Sequence, residues 1–171
     1  NKIAELRCDQ KPLELTNIKA LVMDFDGVHT DDKVIVLPDG SEAFLCSRED
    51  GFGLEKLRRK GLKLLIISKE RDNIVQQRAA KLGVSCINAI DNKISALTNW
   101  LEQNCLDWNE IAYIGNDEND ADCMKKAGVA YYPADGNVVL GTNTPANKLK
   151  NYGGSGAIRE VCEMILNSQR G

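Results

Sequence analysis

The sequence predicts a doubly wound α/β fold, a parallel sheet with helices on both faces, and three observations carry that expectation. Short apolar runs rich in β-branched residues alternate along the chain with stretches of helical period. Those runs are near-continuous rather than alternating, as strands covered on both faces require. The residues with chemical character fall just after them, where the ligand sites of such sheets lie. With 43% hydrophobic and 27% charged residues, the 171-residue chain can bury a real core, so 1–171 is expected to form a single domain.

In chain order, residues 18–23, 62–67, 84–87, 111–114 and 129–132 read as strands. Between them, 53–59, 73–82, 93–103 and 120–127 read as amphipathic helices. One segment breaks the rhythm. Val34-Ile35-Val36-Leu37 and Glu42-Ala43-Phe44-Leu45 flank Pro38-Asp39-Gly40, which predicts a β-hairpin inserted at about 33–46. Such a ribbon is marginal alone, so its apolar side chains must pack either on their own domain or on another subunit. Near the end, Gly153-Gly154-Ser155-Gly156 forms a tight segment leading into a last helix at 157–166. No internal repeat or low-complexity tract interrupts the pattern.

The net charge is -3, and Lys and Arg are spread along the chain instead of forming a basic stripe, which argues against a nucleic-acid partner. The six cysteines occur singly, without CxxC or Cys/His metal spacing, and read as reduced thiols. No run approaches the ~20 apolar residues of a membrane span and no signal sequence opens the chain, so a soluble, cytoplasmic protein without a membrane partner is the expectation. A start at Asn1-Lys2-Ile3 without Met fits a piece of a longer protein or a trimmed one, and composition does not decide between them.

The strongest chemical signal is Asp24-Phe25-Asp26-Gly27, where an apolar strand ends in two carboxylates one residue apart. Alternation along an extended chain sends both to the same side. Two like charges so close call for a cation, and Mg2+ suits carboxylate and phosphate oxygens together. An Asx cap opening a turn would explain the pair alone. It does not explain the rest. Ser68 ends the second strand with a hydroxyl, Lys93 opens a helix after Asp91-Asn92, and Gly115-Asn116-Asp117-Glu118-Asn119-Asp120 ends the fourth strand in an acidic loop. A doubly wound sheet brings all of these to one place. His29, the only histidine, has no neighbour to orient it and reads as packing, as do Trp100 and Trp108.

Asp24-Phe25-Asp26-Gly27-Val28-x-Thr30, Ser68, Lys93 and Gly115-Asn116-Asp117-x-x-Asp120 resemble the four motifs of the haloacid dehalogenase superfamily. No segment between them is long enough for a cap domain. The chain therefore resembles the capless branch that holds 3-deoxy-manno-octulosonate 8-phosphate phosphatases and sialic-acid 9-phosphate phosphatases, and most of all the phosphatase-like domain behind acylneuraminate cytidylyltransferases. Asp50-Gly51-x-Gly53 and Gly153-Gly154-x-Gly156-Ala157-x-Arg159-Glu160 are further motifs of that kind. The resemblance implies a Mg2+-dependent phosphatase with Asp24 as nucleophile, Asp26 as general acid and base, and Ser68 and Lys93 on the phosphoryl oxygens. Asp24, the carbonyl of Asp26 and Asn116 would hold the metal, and a homotetramer closed by the hairpin and the tail after Gly153 is expected.

The same resemblance places Glu70, Arg78, Lys81 and Arg159 on the substrate side, although a solvated helix surface explains the first three equally well. A Glu at position 70, where octulosonate phosphatases tend to carry Arg, points to a nine-carbon, sialic-type 2-keto acid. Two positions depart from the pattern: Asn116 stands where the metal-binding Asp is usual, and Lys69 replaces a Gly. Three readings compete. The first is an acid-sugar phosphatase, the second a non-catalytic oligomerisation domain of a cytidylyltransferase, and the third a receiver-like domain, against which Asp26 argues.

Overall fold

The computed structural model describes residues 15–137 and 145–169, and Cys8 lies outside them. The elements in chain order are β1 (Ala20–Met23), β2 (Ile35–Val36), β3 (Glu42–Ala43), α1 (Arg48–Arg59), β4 (Lys63–Ile67), α2 (Ile74–Leu82), β5 (Ser85–Ile87), α3 (Lys93–Gln103), β6 (Ile111–Ile114), α4 (Ala121–Lys126), β7 (Val129–Tyr132), β8 (Asn147–Lys148) and α5 (Ala157–Ser168). Six strands form one sheet in the order β5-β4-β1-β6-β7-β8, and every pairing in it is parallel. The doubly wound expectation holds.

Strand β1 shows why apolar runs here are continuous. Leu21 and Met23 enter one core cluster with Leu54, Leu57 and the α5 residues Ile158, Val161 and Ile165. Ala20 and Val22 enter the other, with Leu97, Leu101 and Met124 of α3 and α4. Both faces are covered, so no polar alternation survives. Helix α5 lies so close to α1 that a Cβ on Gly53 would sit 3.0 Å from Cys162 Cβ, which accounts for a glycine inside a helix.

Some departures from expectation have local causes. Helix α1 starts at Arg48 rather than 53, because Ser47 caps it through Oγ to the Glu49 amide at 3.1 Å and Glu49 and Asp50 favour its first turn. Its first buried residue is Asp50, which hydrophobic periodicity does not register. Residues 118–120 form a 3-10 turn capped by Asp117 before α4 begins. Strand β8 is a two-residue edge strand with no apolar run to announce it.

The hairpin forms, with Ile35 opposite Ala43 and Val36 opposite Glu42, but these strands bond only to each other. Val36 is 66% exposed and Leu45 68%, with Val34, Ile35 and Leu37 also in solvent. Phe44 turns inward, edge-on to Phe25 at 6.0 Å, and Cys46 also packs on the core. The five described cysteines are free thiols. Among the described residues, no helix is long and apolar enough to cross a membrane.

Candidate active site

The register of the sheet assembles the site. Met23 pairs with Ile66 on one side and Ile114 on the other, so Asp24, Ser68 and Gly115 emerge at the same carboxyl edge. Strand β1 lies between β4 and β6, where the strand order reverses and a crevice opens. Lys93 reaches it as the first residue of α3, a helix whose start is fixed by Asn92 Oδ1 accepting from the Ser95 amide at 3.0 Å.

At the centre, Lys93 Nζ lies 2.8 Å from Asp24 Oδ1 and 2.7 Å from Asp120 Oδ1, with all three residues buried. Asp24 Oδ1 also accepts from the Phe25 amide at 2.8 Å. Asp120 accepts further from Tyr113 Oη at 2.7 Å and, through Oδ2, from the Asn116 amide at 3.1 Å. Both of its oxygens are therefore engaged. Asp120 anchors Lys93 and the acidic loop, a role its motif position alone did not specify. Tyr113 was not foreseen, although a phenol in the middle of an apolar strand is the signal that could have found it.

Two buried carboxylates share one ammonium. Burial, and then the neighbouring Asp120 charge, push Asp24 well above the usual carboxylate range, against the pull of Lys93. Burial alone would lower Lys93, yet the two carboxylates raise it, so it stays charged. Asp26 is half-buried and pushed up to about 6, first by burial and then by Glu70 and Asp32. A carboxyl group in that range can both give and take a proton near neutrality.

Asn116 is brought to the same loop. Gly27 has φ +71°, and a Cβ on it would fall 1.9 Å from Asn116 Nδ2, so the amide lies directly over the segment carrying Asp26. The described residues contain no group of three His, Cys, Asp or Glu side chains able to hold a metal. A divalent cation nevertheless fits the donor set, because Asp24, Asn116 and backbone carbonyls offer hard oxygen and a bound cation would hold Asp24 charged against its burial.

The other expected residues divide. Ser68 is buried, and its Oγ accepts from the Glu70 amide at 2.9 Å. Arg78 and Lys81 line a cavity of about 900 Å3 between the hairpin base, α1 and α2, together with Arg48, Arg58 and Phe25. Arg78 is partly committed, since its Nη2 donates to Ser47 O at 2.9 Å. Glu70 is not part of that lining; its Oε1 accepts from the Arg71 and Asp72 amides, and its charge acts on Asp26. Arg159 is not brought to this cavity, because its guanidinium pairs with Glu163 at 2.6 Å and its backbone amide donates to Asp50. His29 is buried against Phe25, ring centroids 5.8 Å apart, with neither nitrogen partnered. Burial, helped by Arg78, pushes it down to about 3, so it is neutral.

No protein-family model matches the chain. Among curated proteins, N-acylneuraminate cytidylyltransferase of Oncorhynchus mykiss is 30% identical over 153 residues; these are 87% of this chain, which spans only 35% of that protein. The 3-deoxy-D-manno-octulosonate 8-phosphate phosphatase of Escherichia coli (strain K12) is 30% identical over 154 residues, 90% of this chain and 81% of that one. Among solved structures, 3-deoxy-D-manno-octulosonate 8-phosphate phosphatase from Moraxella catarrhalis, in complex with magnesium ion, phosphate ion and KDO, matches with a TM-score of 0.86. It is 32% identical, over 91% of this chain and 90% of that chain.

Proposed function

The chain belongs to the haloacid dehalogenase superfamily, in the family of the 3-deoxy-D-manno-octulosonate 8-phosphate phosphatases, which are phosphoric monoester hydrolases, and we propose that it hydrolyses a sugar acid phosphate through an aspartyl phosphate on Asp24. The observation that carries this reading is the buried Lys93 bridge to Asp24, 2.8 Å, beside an Asp26 pushed up to about 6.

In the first half-reaction an Asp24 carboxylate oxygen attacks phosphorus, the bond from phosphorus to the sugar oxygen breaks, and Asp26 gives its proton to the departing alkoxide. In the second, Asp26 takes a proton from water as that water attacks the phosphoryl group, releasing inorganic phosphate and restoring Asp24. Lys93 Nζ and Ser68 Oγ are the groups at hand to hold phosphoryl oxygens as charge moves between them. Mg2+ when bound would neutralise phosphoryl charge, held by the Asp24 carboxylate, the Asp26 carbonyl and Asn116. With an amide in place of a second carboxylate, binding in about the millimolar range is expected.

For the substrate, we favour a sialic-type 9-phosphate. The likeness to an acylneuraminate cytidylyltransferase and the position of Glu70, acting on Asp26 from just beyond β4, support it. An eight-carbon octulosonate 8-phosphate is the second reading, supported by the alignment over 81% of the Escherichia coli phosphatase. The exposed apolar hairpin supports an interface between subunits, and we propose that it builds the homotetramer which the family resemblance implies.

Phosphate release from both sugar phosphates, with and without Mg2+, tests this. The nine-carbon ester should be preferred, and Glu70→Arg should shift the ratio of efficiencies toward the eight-carbon one by roughly one to two powers of ten. An unchanged ratio removes Glu70 from selection. No release from either ester leaves the assembly-domain reading.

A further inference from the structure

The carboxylate of Asp26 makes no hydrogen bond or ion pair among the described residues, so its placement depends on the backbone that carries it. That backbone is a tight turn. His29 N donates to Phe25 O at 2.8 Å, and Gly27 N and Asp32 N each donate to Thr30 Oγ1 at 3.2 Å. These bonds fix the turn's shape. They do not fix where it stands relative to Asp24.

Two outside contacts do. Asn116 covers Gly27 from one side, as described above. On another, the Gly154 amide donates to Val28 O at 3.0 Å, and a Cβ on Gly153 would lie 2.1 Å from Gly27 O and 2.7 Å from Thr30 O. Only glycine permits that approach, and Gly154 has φ +65° besides. The glycine segment is itself tied down. Asp135 Oδ1 accepts from the Gly153 amide at 3.0 Å, Ala134 N donates to Asn151 O at 2.9 Å, and Glu160 Oε2 accepts from the Lys150 and Asn151 amides, both at 3.0 Å. Glu160 belongs to α5, whose first turn is held by Asp50 Oδ1 accepting from Arg159 N at 2.9 Å. Two motifs that the chemistry left unexplained thus form one buttress.

We infer that the Gly153-Gly154 turn positions the loop carrying Asp26, and that Asp135 is the positioning residue that sets this turn. The inference rests on the phosphatase reading for its kinetic consequence only. Asp135 lies beyond the end of β7, outside the catalytic and metal-holding set, and holds the turn through one charge-assisted bond. Catalysis is sensitive to placement errors well below the size of a side chain.

The test compares Asp135→Ala with Asp135→Asn, which keeps an acceptor oxygen but removes the charge. The Ala variant should lower kcat about tenfold, with KM within about twofold, as loss of one such bond at a positioning contact implies. Deuterium uptake in a peptide covering residues 26–31 should rise in parallel, and the Asn variant, which keeps the acceptor without its charge, should recover most of both readouts. Unchanged kcat and exchange in the Ala variant would overturn the inference, as would an Asn variant as impaired as Ala, which would make charge the cause. If the wild type hydrolyses no sugar phosphate, the phosphatase reading fails, while the exchange measurement still decides whether Asp135 sets the loop.

Discussion

The carboxyl end of the sheet and the hairpin depart from the ordinary distribution of residues in opposite directions. At the first, Asp24, Lys93 and Asp120 are buried. At the second, Val34, Ile35, Val36, Leu37 and Leu45 stand in solvent. Charges are tolerated inside only when paired, and the pairing here is uneven, two carboxylates to one ammonium. Apolar surface outside is costly at roughly 25 cal/mol per Å2 unless something covers it. Each region is thus incomplete by itself. One lacks positive charge, which a metal ion would supply, and the other lacks an apolar surface, which a second subunit would supply.

Breaking the charged region should have the largest effect. Lys93→Met leaves two carboxylates buried without their cation, so stability should fall by about 3–5 kcal/mol and phosphate release by about a thousandfold or more. Denaturant titration and a phosphate assay check the two separately. A stable variant with ordinary turnover would mean that the bridge is incidental.

Breaking the apolar region should change assembly while leaving the buried charged cluster intact. Val36→Asp with Leu45→Asp should convert the proposed tetramer to a species near 18.9 kDa in light scattering, with the protomer's melting nearly unchanged. Phe44 is the wrong residue for this purpose, because it packs edge-on against Phe25 and its loss would reach the core. A wild-type protein already of that mass would remove the interface.

The two regions also differ in how far the sequence disclosed them. Strand ends and motif spacing located Asp24, Asp26, Ser68 and Lys93, because parallel strands in register must deliver their next residues to one edge. The partner of Lys93 was harder to see. Asp120 lies 27 positions away, and only the turn of residues 118–120 aims it inward beneath Tyr113. The surroundings of Arg159 were not legible either, since a motif arginine at a helix start gives no sign that its guanidinium will take Glu163. The hairpin was legible as a pair of strands. Which of its side chains faces inward was not, because alternation assigns faces but not which face meets Phe25.

A smaller effect sharpens the contrast from inside the core. His29 is held at about 3 against an ordinary value of 6.5, so below pH 6.5 the unfolded chain takes up a proton that the folded chain refuses. Its contribution is intact above pH 6.5 and lost as pH falls toward 3, by up to about 1.4 kcal/mol per pH unit. Since neither ring nitrogen is partnered, His29→Leu should be neutral or stabilising by about 1 kcal/mol at pH 7 and should remove that slope. Denaturant midpoints at pH 7 and pH 5 for the two proteins suffice. Parallel pH dependences would show that His29 does not titrate as its burial requires.

Asp24 carries the phosphoryl group in the proposed mechanism, and an aspartyl phosphate is an acyl phosphate that hydroxylamine converts to a hydroxamate. Quenching the enzyme with hydroxylamine during turnover of a sugar acid phosphate in Mg2+, then mapping peptides by mass spectrometry, tests it most directly. A hydroxamate should form at residue 24, require substrate and be absent from Asp24→Asn, which should also release no phosphate. Steady turnover with no hydroxamate, or with one on Asp26 or another carboxylate instead, would contradict it.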